Sequence, residues 1–361
     1  MRIGKLDKYI IKKFIGTYLV ALVLIILIVI IFDISEKIDD FIENEAPLKA
    51  IIVDYYANFI PYFVNMFSPL FIFITVIFFT SKLSQNSEII AILSGGISFQ
   101  RLMWPYFISA FFIALFSLSL NLFVIPPANA QRLAFEQTYV HGGRYYNTNR
   151  NMHYQISPGE FVYVESFSTW NNTAYKFTLE NIKESKIVSK LSAEKAKWDS
   201  TSQSWQLKNY FLRKYDGDKE TITSGNQLDT TISLTANDFY RNEKTVSSLD
   251  YFQLKKLIST QRMRGDSMIK FSLIESNTRM AVPFSAFILT LIGVALSSKK
   301  KRGGIGINLG VGIGLSFTYI LFLRFSQMFV ITDTLSPAVA IWLPNMIFAI
   351  IAVFLYRIAP K

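Results

Sequence analysis

The chain has 361 residues, of which 51% are hydrophobic, and it carries a formal net charge of +11. The absence of cysteine excludes disulfides, thiolate metal sites and a cysteine nucleophile. Because the basic residues cluster beside long apolar runs, the charge is typical of membrane orientation and not of nucleic-acid binding.

The first apolar run, from Phe14 to Phe32, is uncharged over nineteen residues. A helix of that length crosses about 30 Å of hydrocarbon. A cleaved signal peptide is the alternative, but no small-residue cleavage pattern follows the run. We therefore expect a retained membrane span.

Five later apolar runs complete a predicted set of six membrane spans. They lie at Phe59–Thr80, Met103–Ile125, Ala281–Leu296, Ile305–Leu323 and Ala338–Tyr356. Pro61 and Pro69 are expected to interrupt the second span. The sequence thus predicts a polytopic α-helical membrane protein with three spans on each side of a long insert.

A short segment at 84–96, between spans two and three, predicts an amphipathic helix. Ile89, Ile92 and Leu93 recur at helical spacing, and Glu88 lies in the first turn, where a carboxylate suits the helix dipole. Since both neighbouring runs span the membrane, we expect this helix at the membrane surface. Its apolar face is then offered to lipid headgroups or to another protein.

Residues 126–270 form one continuous insert. Alternation of apolar and polar residues at 160–167, 174–180 and 205–213, with glycine-containing turns between, predicts an all-β domain. Residues 248–258 then predict a capped helix that leads back to the bilayer. The expected division is 1–125 for spans one to three, 126–270 for the β domain and 271–361 for spans four to six.

Charges beside the spans predict their orientation. Basic residues dominate the N-terminus, the segment between spans two and three, the tail, and Lys299-Lys-Lys-Arg302 between spans four and five. Acidic residues dominate the segment between spans one and two. By the positive-inside rule, both termini are cytoplasmic and the β domain lies on the outer side.

Glycines in the fifth span share one helix face. Gly306, Gly310 and Gly314 fall four residues apart, a small-residue pattern that lets membrane helices approach closely or slide. The same stretch superficially resembles a nucleotide-binding loop, but it runs into an apolar span and does not link a strand to a helix. We expect a packing seam here.

Charges within or at the ends of spans are costly without partners. Asp33, Arg279 and Arg324 need a lipid phosphate, one another, or water in a cavity. Together on the outer side they are candidates for the lining of a mouth. Snorkelling of each side chain to the interface is the alternative.

No active site is predicted. The two histidines, His141 and His153, are far apart, and neither a phosphate-binding loop nor a metal-ligand spacing is present. We therefore expect a protein that is not itself an enzyme and that needs neither cofactor nor metal.

Several short motifs occur in a characteristic order. They are Leu6-Asp-Lys-Tyr-Ile10, Ser84-Gln-Asn-Ser-Glu-Ile-Ile90, Gly95-Gly-Ile-Ser98, Pro126 and Glu160-Phe-Val-Tyr-Val-Glu165. With the three-plus-three arrangement of spans, this order resembles the lipopolysaccharide export permeases of the LptF/LptG family over nearly the whole chain. Within that family, the compact insert is more similar to that of the LptG-type subunit than to that of the LptF-type subunit.

The resemblance implies a half-transporter in the inner membrane of a Gram-negative bacterium. It would pair with a second LptF/LptG-type permease and dock a dimeric cytoplasmic ABC ATPase, the separate subunit that hydrolyses ATP, through the helix at 84–96. It would extract lipopolysaccharide and pass it to periplasmic jellyroll bridge proteins. The insert would be a jellyroll, and spans one and five would form lateral gates for lipid.

The candidate site residues fall into two groups. Glu88, Ile89, Ile92 and Leu93 are the candidates for ATPase coupling. Asp33, Lys37, Phe161, Tyr163, Arg279, Gly310 and Arg324 are the candidates for lipid binding or gating.

This chain departs from the family pattern at the outer end of span one. LptG subunits of the family present a lysine to lipid phosphates there, and this chain has Asp33. Lys37, one turn later, is a candidate substitute; otherwise the positive charge must come from the partner subunit.

Two other function classes stay open. One is a mechanotransmitting ABC membrane subunit that acts on periplasmic proteins or lipoproteins without carrying lipid. The other is a membrane anchor for a β domain, which has no need of an apolar helix at the cytoplasmic surface. Crosslinking of lipid headgroups to spans one and five separates lipid transport from mechanotransmission.

Overall fold

The computed structural model of the chain describes residues 4–141, 150–184, 186–217, 219–240, 243–299 and 304–359, without the side chains of residues 237, 240, 243, 244 and 304. These residues form two units. The helical unit comprises Met1–Asp39, Pro47–Arg132 and Leu273–Lys361, and the β unit comprises Asp40–Ala46 and Leu133–Ser272. Residues 300–302 of the predicted cationic loop lie outside the described residues.

Ten helices occur in the described part of the chain. They are α1 (Lys5–Glu43), α2 (Leu48–Gln85), α3 (Glu88–Ser94), α4 (Phe99–Tyr139), α5 (Ala236–Tyr240), α6 (Glu243–Val246), α7 (Tyr251–Arg264), α8 (Ile269–Ser297), α9 (Gly304–Ile331) and α10 (Pro337–Ile358). By length and composition, α1, α2, α4, α8, α9 and α10 can cross a membrane, which confirms the six predicted spans. Each of these helices is longer than the apolar run that predicted it.

The helix α2 continues through Pro61 and Pro69, where an interruption was expected. A non-helical break in hydrocarbon leaves backbone groups without partners, so a continuous helix is favoured even at proline. Irregularity occurs instead as two π-helical stretches, Ile51–Tyr56 in α2 and Leu120–Val124 in α4. Such stretches accommodate an extra residue without ending the helix.

The helical core brings α2 against α8 and α9 through small residues. A Cβ at Gly293 of α8 would lie 2.8 Å from Val76 Cγ1, and a Cβ at Gly312 of α9 would overlap Ile77 Cδ1. Next to this contact, Asn308 Nδ2 donates to Ser81 Oγ at 3.0 Å. Close backbone approach and interhelical hydrogen bonds are the forces that hold membrane helices together.

The predicted β domain contains a six-stranded antiparallel sheet, while residues 126–139 of the predicted insert belong to helix α4. Its strands are β1 (Arg150–Ser157), β2 (Glu160–Ser168), β3 (Thr173–Lys183), β4 (Lys186–Asp199), β5 (Ser204–Asp216) and β6 (Lys219–Thr230). Their order in the sheet is the same as in the chain, so the sheet is a meander in which hairpins join neighbours.

One face of the sheet carries the core of the β unit. Trp205 is fully buried, and its indole N–H donates to the Leu234 carbonyl at 2.8 Å. Phe239 of α5 stacks on Phe167 with ring centroids 4.6 Å apart. The segment after β6 therefore covers part of this face.

An irregular row crosses the sheet. It consists of Asn151, Glu165, Lys176, Glu194 and Asn209, which lie opposite one another on β1 to β5. Three of its members, Asn151, Lys176 and Asn209, have left-handed φ values of 53°, 51° and 51°. The alternation of buried and outward-facing side chains along each strand shifts by one residue at this row. On β4, for example, the buried residues are Leu191 and Ala193 before the row and Ala196 after it.

Candidate docking and gate sites

The short helix α3 is anchored by its apolar face. Ile89 is 1% exposed within the helical core, and Ile92 and Leu93 pack against that core. The expectation that this face lies free is wrong, because the ends of the neighbouring spans supply an apolar surface that a linear sequence does not show. The coupling role of these three residues is untested and stays a prediction.

The opposite side of α3 is open. Ile90 is 49% exposed, and Ala91 and Ser94 are exposed beside it. Glu88 is half-buried and accepts hydrogen bonds from the Tyr9 hydroxyl at 3.4 Å and from Asn86 Nδ2 at 3.3 Å. A rigid helix thus presents a small apolar surface with a carboxylate at its edge.

An ion pair beside α3 joins the first turns of α1 and α4. Asp7 is fully buried, and its two carboxylate oxygens each lie 2.6 Å from a guanidinium nitrogen of Arg101. Asp7 also accepts from the Gly4 N–H at 2.8 Å, and the Ser98 hydroxyl caps α4 by accepting from the Arg101 N–H at 3.2 Å. A buried carboxylate is tolerated because it is paired and hydrogen-bonded in this way.

Sequence reasoning missed this ion pair. Asp7 lay within the N-terminal motif, and Arg101 counted only as a flanking charge. The available signal was that Asp7 is the one acidic residue among the basic residues of 1–13. A lone carboxylate in a cationic segment marks a candidate for a specific partner.

At the other end of α1, two predicted residues meet two that were not predicted. Lys37 Nζ lies 2.9 Å from Asp33 Oδ1, as the one-turn spacing allows, and 4.8 Å from the centre of the Tyr55 ring. Lys37 also donates to the Tyr55 hydroxyl, and the Tyr56 hydroxyl donates to Asp33 Oδ2 at 3.1 Å. The π-helical stretch of α2 supplies both tyrosines, and the positive charge of Lys37 is balanced inside this cluster.

The two predicted arginines have different surroundings. Arg279 is buried, and its Nε donates to Glu275 Oε1 at 2.8 Å, one turn earlier on α8. Arg324 is exposed on α9. Asp33 pairs with Lys37 and not with either arginine in the contacts just described, so a mouth shared by the three charges stays a prediction.

The predicted glycine face of α9 does not form the close contact with α2. A Cβ at Gly306, Gly310 or Gly314 would meet no atom of the described residues within 4 Å, once the adjacent residues and the nearby backbone of α9 itself are set aside. The close approach is made by Gly312, on another side of α9. The expected seam is therefore open in the described chain, and its gating role stays a prediction.

Phe161 and Tyr163 lie on the face of the sheet away from the core. Phe161 is 38% exposed, whereas Val162 and Val164 are buried. The Tyr163 hydroxyl donates to Asn151 Oδ1 at 2.8 Å, at the irregular row. Of the two alternating faces, the one with the valines lines the interior; lipid binding by Phe161 and Tyr163 is untested and stays a prediction.

Comparison with known proteins gives one match over nearly the whole chain. The family model described as lipopolysaccharide export system permease LptF/LptG matches residues 8–358, which include both units. No curated protein sequence matches the chain with significant similarity.

Proposed function

The chain belongs to the LptF/LptG family of lipopolysaccharide export permeases, and on that premise we propose that it is a permease subunit of an ABC-type transporter. It extracts lipopolysaccharide from the inner membrane and passes it to periplasmic jellyroll bridge proteins. The match over residues 8–358 carries the proposal, since it includes the spans and the β unit together. We assign it the LptG-type role from its compact insert.

The open side of α3 is the proposed dock for the dimeric cytoplasmic ATPase. Ile90 and Glu88 offer an apolar contact and a charge on a helix whose other side is fixed in the helical core. The Tyr9–Glu88 hydrogen bond connects α3 to α1, and the Asp7–Arg101 pair connects α1 to α4. Movement imposed on α3 is therefore transmitted to the spans.

The proposed lateral gates are α1 and α9, which pair with the second permease and admit lipid. Val23 and Phe32 of α1, and Phe317 and Leu321 of α9, are among the large apolar side chains that both helices leave exposed. At 3.6 residues per turn, Gly306, Gly310, Phe317, Leu321 and Arg324 share one face of α9. We assign Arg324 to lipid phosphates, because the charge of Lys37 is balanced by Asp33.

The described sheet is a meander without the Greek-key connections of a jellyroll. We propose that its core face guides acyl chains and that its edge continues into the periplasmic jellyroll bridge. On β5, the neighbouring residues Leu212 and Phe211 point to opposite faces: Leu212 is half-buried on the core face and Phe211 is exposed. Strand β6 lies at the edge of the meander. An edge strand offers unpaired backbone groups to a further strand.

The docking proposal is tested by two substitutions on α3. Glu88→Lys and Ile90→Asp are each expected to reduce co-purification of the ATPase and ATP-dependent lipid release by more than about tenfold, because a reversed or buried charge at a small interface costs several kcal/mol. Val188→Asp is the matched control, since Val188 is 36% exposed and lies on β4, an inner strand of the β unit and not the edge strand β6. Normal recruitment and release in both α3 variants would refute the dock.

Lipid carriage is tested with photocrosslinkers at single positions. Probes at Leu212 and on the exposed face of α9, such as at Phe317, are expected to capture lipopolysaccharide, and a probe at Phe211 is expected to capture far less. Failure of all these probes, with ATPase recruitment intact, would favour the mechanotransmitting subunit. Equal capture at Leu212 and Phe211 would refute a groove on the core face.

A further inference from the structure

Helix α7 is fixed by its inner face and by both of its ends. The capped helix predicted from the sequence is confirmed, with Asp250 and Gln253 forming a reciprocal capping box and Gly265 ending the helix at a φ of 63°. Leu254 and Leu257 are buried on its inner face. Arg264 forms a 3.1 Å ion pair with Asp238. The opposite face of α7 therefore has a defined direction, outward from the β unit.

This outward face, the basic face of α7, consists of Phe252, Lys255, Lys256, Ser259, Arg262 and Met263, all exposed. Phe252 is 80% exposed and Met263 is 60% exposed. At 100° per residue, Phe252, Lys256, Ser259 and Met263 lie within about 60° of one another. No acidic residue occurs from 251 to 264, so nothing on the helix itself offsets the three exposed cations.

Single exposed apolar residues are ordinary on a soluble surface. The combination on α7 is different, since two large apolar side chains protrude between cations on a face without carboxylates. That combination is typical of helices that lie in a membrane interface, with apolar side chains at the acyl boundary and Lys or Arg at anionic headgroups. Charge complementarity thus indicates an anionic lipid surface as the occupant.

Chain length allows α7 to reach such a surface. Helix α8 has 29 residues, whereas about 20 suffice to cross the hydrocarbon, so its first turns extend about 13 Å beyond it. Four residues, 265–268, join α7 to α8 in a compact turn, in which the Asp266 N–H donates to the Gln261 carbonyl at 3.0 Å and the Ile269 N–H to the Asp266 carbonyl at 3.1 Å. The headgroup layer, roughly 5–8 Å deep on each side of the hydrocarbon, and the long basic side chains bridge the distance between this turn and the hydrocarbon.

We propose that the basic face of α7 binds the anionic phospholipid headgroups of the leaflet that α8 enters, and so holds the β unit at the membrane surface. The proposal requires only that α8 spans the membrane; it does not depend on the substrate of the transporter. Phe252 and Met263 lie at the acyl boundary, and Lys255, Lys256 and Arg262 contact lipid phosphates. Electrostatic attraction makes the contact dependent on lipid charge and on ionic strength.

The test uses the full chain in nanodiscs, and the absence of cysteine allows single-site labelling. An environment-sensitive fluorophore is attached at Met263→Cys, and at Thr201→Cys, an exposed position on the β4–β5 turn, as the control site. Quenching by nitroxide lipids is measured in phosphatidylcholine with and without phosphatidylglycerol. We expect strong quenching at position 263 with phosphatidylglycerol, weaker quenching without it, and little at position 201.

The charge dependence is tested with K255Q/K256Q/R262Q. Each cation near an anionic surface contributes about fivefold to the contact equilibrium, so removing three should lower it by about a hundredfold. K186Q/K208Q/K214Q removes the same charge from exposed lysines on the sheet and should change nothing.

Three results would overturn the proposal. They are equal quenching at positions 263 and 201, insensitivity to the loss of all three cations, and quenching at 263 only after lipopolysaccharide or a partner protein is added. The last result would assign the basic face of α7 to a different occupant.

Discussion

The ion pair of Asp7 and Arg101 is expected to contribute to the free energy of unfolding. The carboxylate of Asp7 is fully buried, and Arg101 holds it with two hydrogen bonds of 2.6 Å. Asp7→Asn leaves the guanidinium without its counter-charge, so we expect a loss of about 2 kcal/mol, below the usual 3–5 kcal/mol for a buried pair because Arg101 is partly exposed. Detergent-solubilised protein unfolded by denaturant, with Trp104 as the nearby fluorophore, reports the change.

A double-mutant cycle separates the interaction free energy of the Asp7–Arg101 pair from the contacts that each residue makes with other groups. Arg101→Gln and the double variant complete the cycle with Asp7→Asn, and the expected coupling free energy is about 1–3 kcal/mol. A coupling near zero would mean that each residue acts through other contacts. Val188→Asp, the control variant in the β unit, should leave the coupling free energy unchanged.

Asp266 gives the β unit a predicted dependence on pH. Burial raises the pKa of its carboxyl above the ordinary value of 3.8, with the neighbouring Asp238 acting in the same direction and Arg264 and the Met268 N–H opposing it. The folded state therefore binds the proton more tightly. Its stabilising contribution is fully present below about pH 4 and is lost as pH rises through the raised pKa.

Asp266→Asn should remove this dependence. Asparagine keeps an oxygen to accept the Met268 N–H, which lies 2.9 Å from Asp266 Oδ1. We expect the stability of the variant, relative to the parent, to increase from pH 4 to pH 7. Denaturant unfolding monitored through buried Trp205 measures the difference at each pH, and a constant difference across this range would contradict the assignment.

Among the elements, α9 offers a comparison between two glycines two residues apart. A Cβ at Gly312 would overlap Ile77 of α2, whereas a Cβ at Gly310 would meet no described atom of another helix within 4 Å. Gly312→Leu should separate α9 from α2 and cost about 1–3 kcal/mol through overpacking. Gly310→Leu should leave the stability of the isolated chain nearly unchanged, as thermal unfolding in detergent can show.

The same Gly310→Leu variant tests the gate. If the open glycine face slides against a partner or lipid, the variant should assemble with the second permease but slow lipid release or ATPase coupling. Loss of assembly would identify the face as static packing. Unchanged assembly together with unchanged release would remove Gly310 from the gate.

Element type was predictable where periodicity was strong, and the faces of the elements were less so. Six apolar runs, three alternating segments and the capped-helix pattern at 248–258 all gave elements of the predicted kind, the last as the helix Tyr251–Arg264. The burial of Ile89 and the open face at Gly310 depend on which neighbours pack nearby, and those are set by tertiary contacts. The irregular row was also hidden, because lysine rarely adopts the left-handed φ that Lys176 has here, and a sequence does not show which residues lie opposite it.

At the scale of the whole molecule, the sequence showed the two kinds of structure but not every boundary between them. The β unit includes Asp40–Ala46, the last turn of α1 and the three residues after it, in addition to residues of the insert. Helix continuity explains this, since α1 and α4 both extend well past their apolar runs. Hydropathy locates the part of a helix in hydrocarbon and does not detect the part beyond it.

The connectivity also predicts which segments lie on opposite sides of the membrane. Helix α4 is the span that separates the α3 segment from the β unit in the chain, so Ser94 and Thr201, both exposed, must face opposite aqueous phases. The positive-inside rule assigns Ser94 to the cytoplasm, because Lys82 and Arg101 flank its segment. In the cysteine-free chain, a membrane-impermeant maleimide added to spheroplasts should label Thr201→Cys and not Ser94→Cys, while both should react after permeabilisation. Labelling of both before permeabilisation would show that α4 does not cross the membrane, and labelling of Ser94→Cys alone would reverse the orientation and move the proposed ATPase dock to the wrong side.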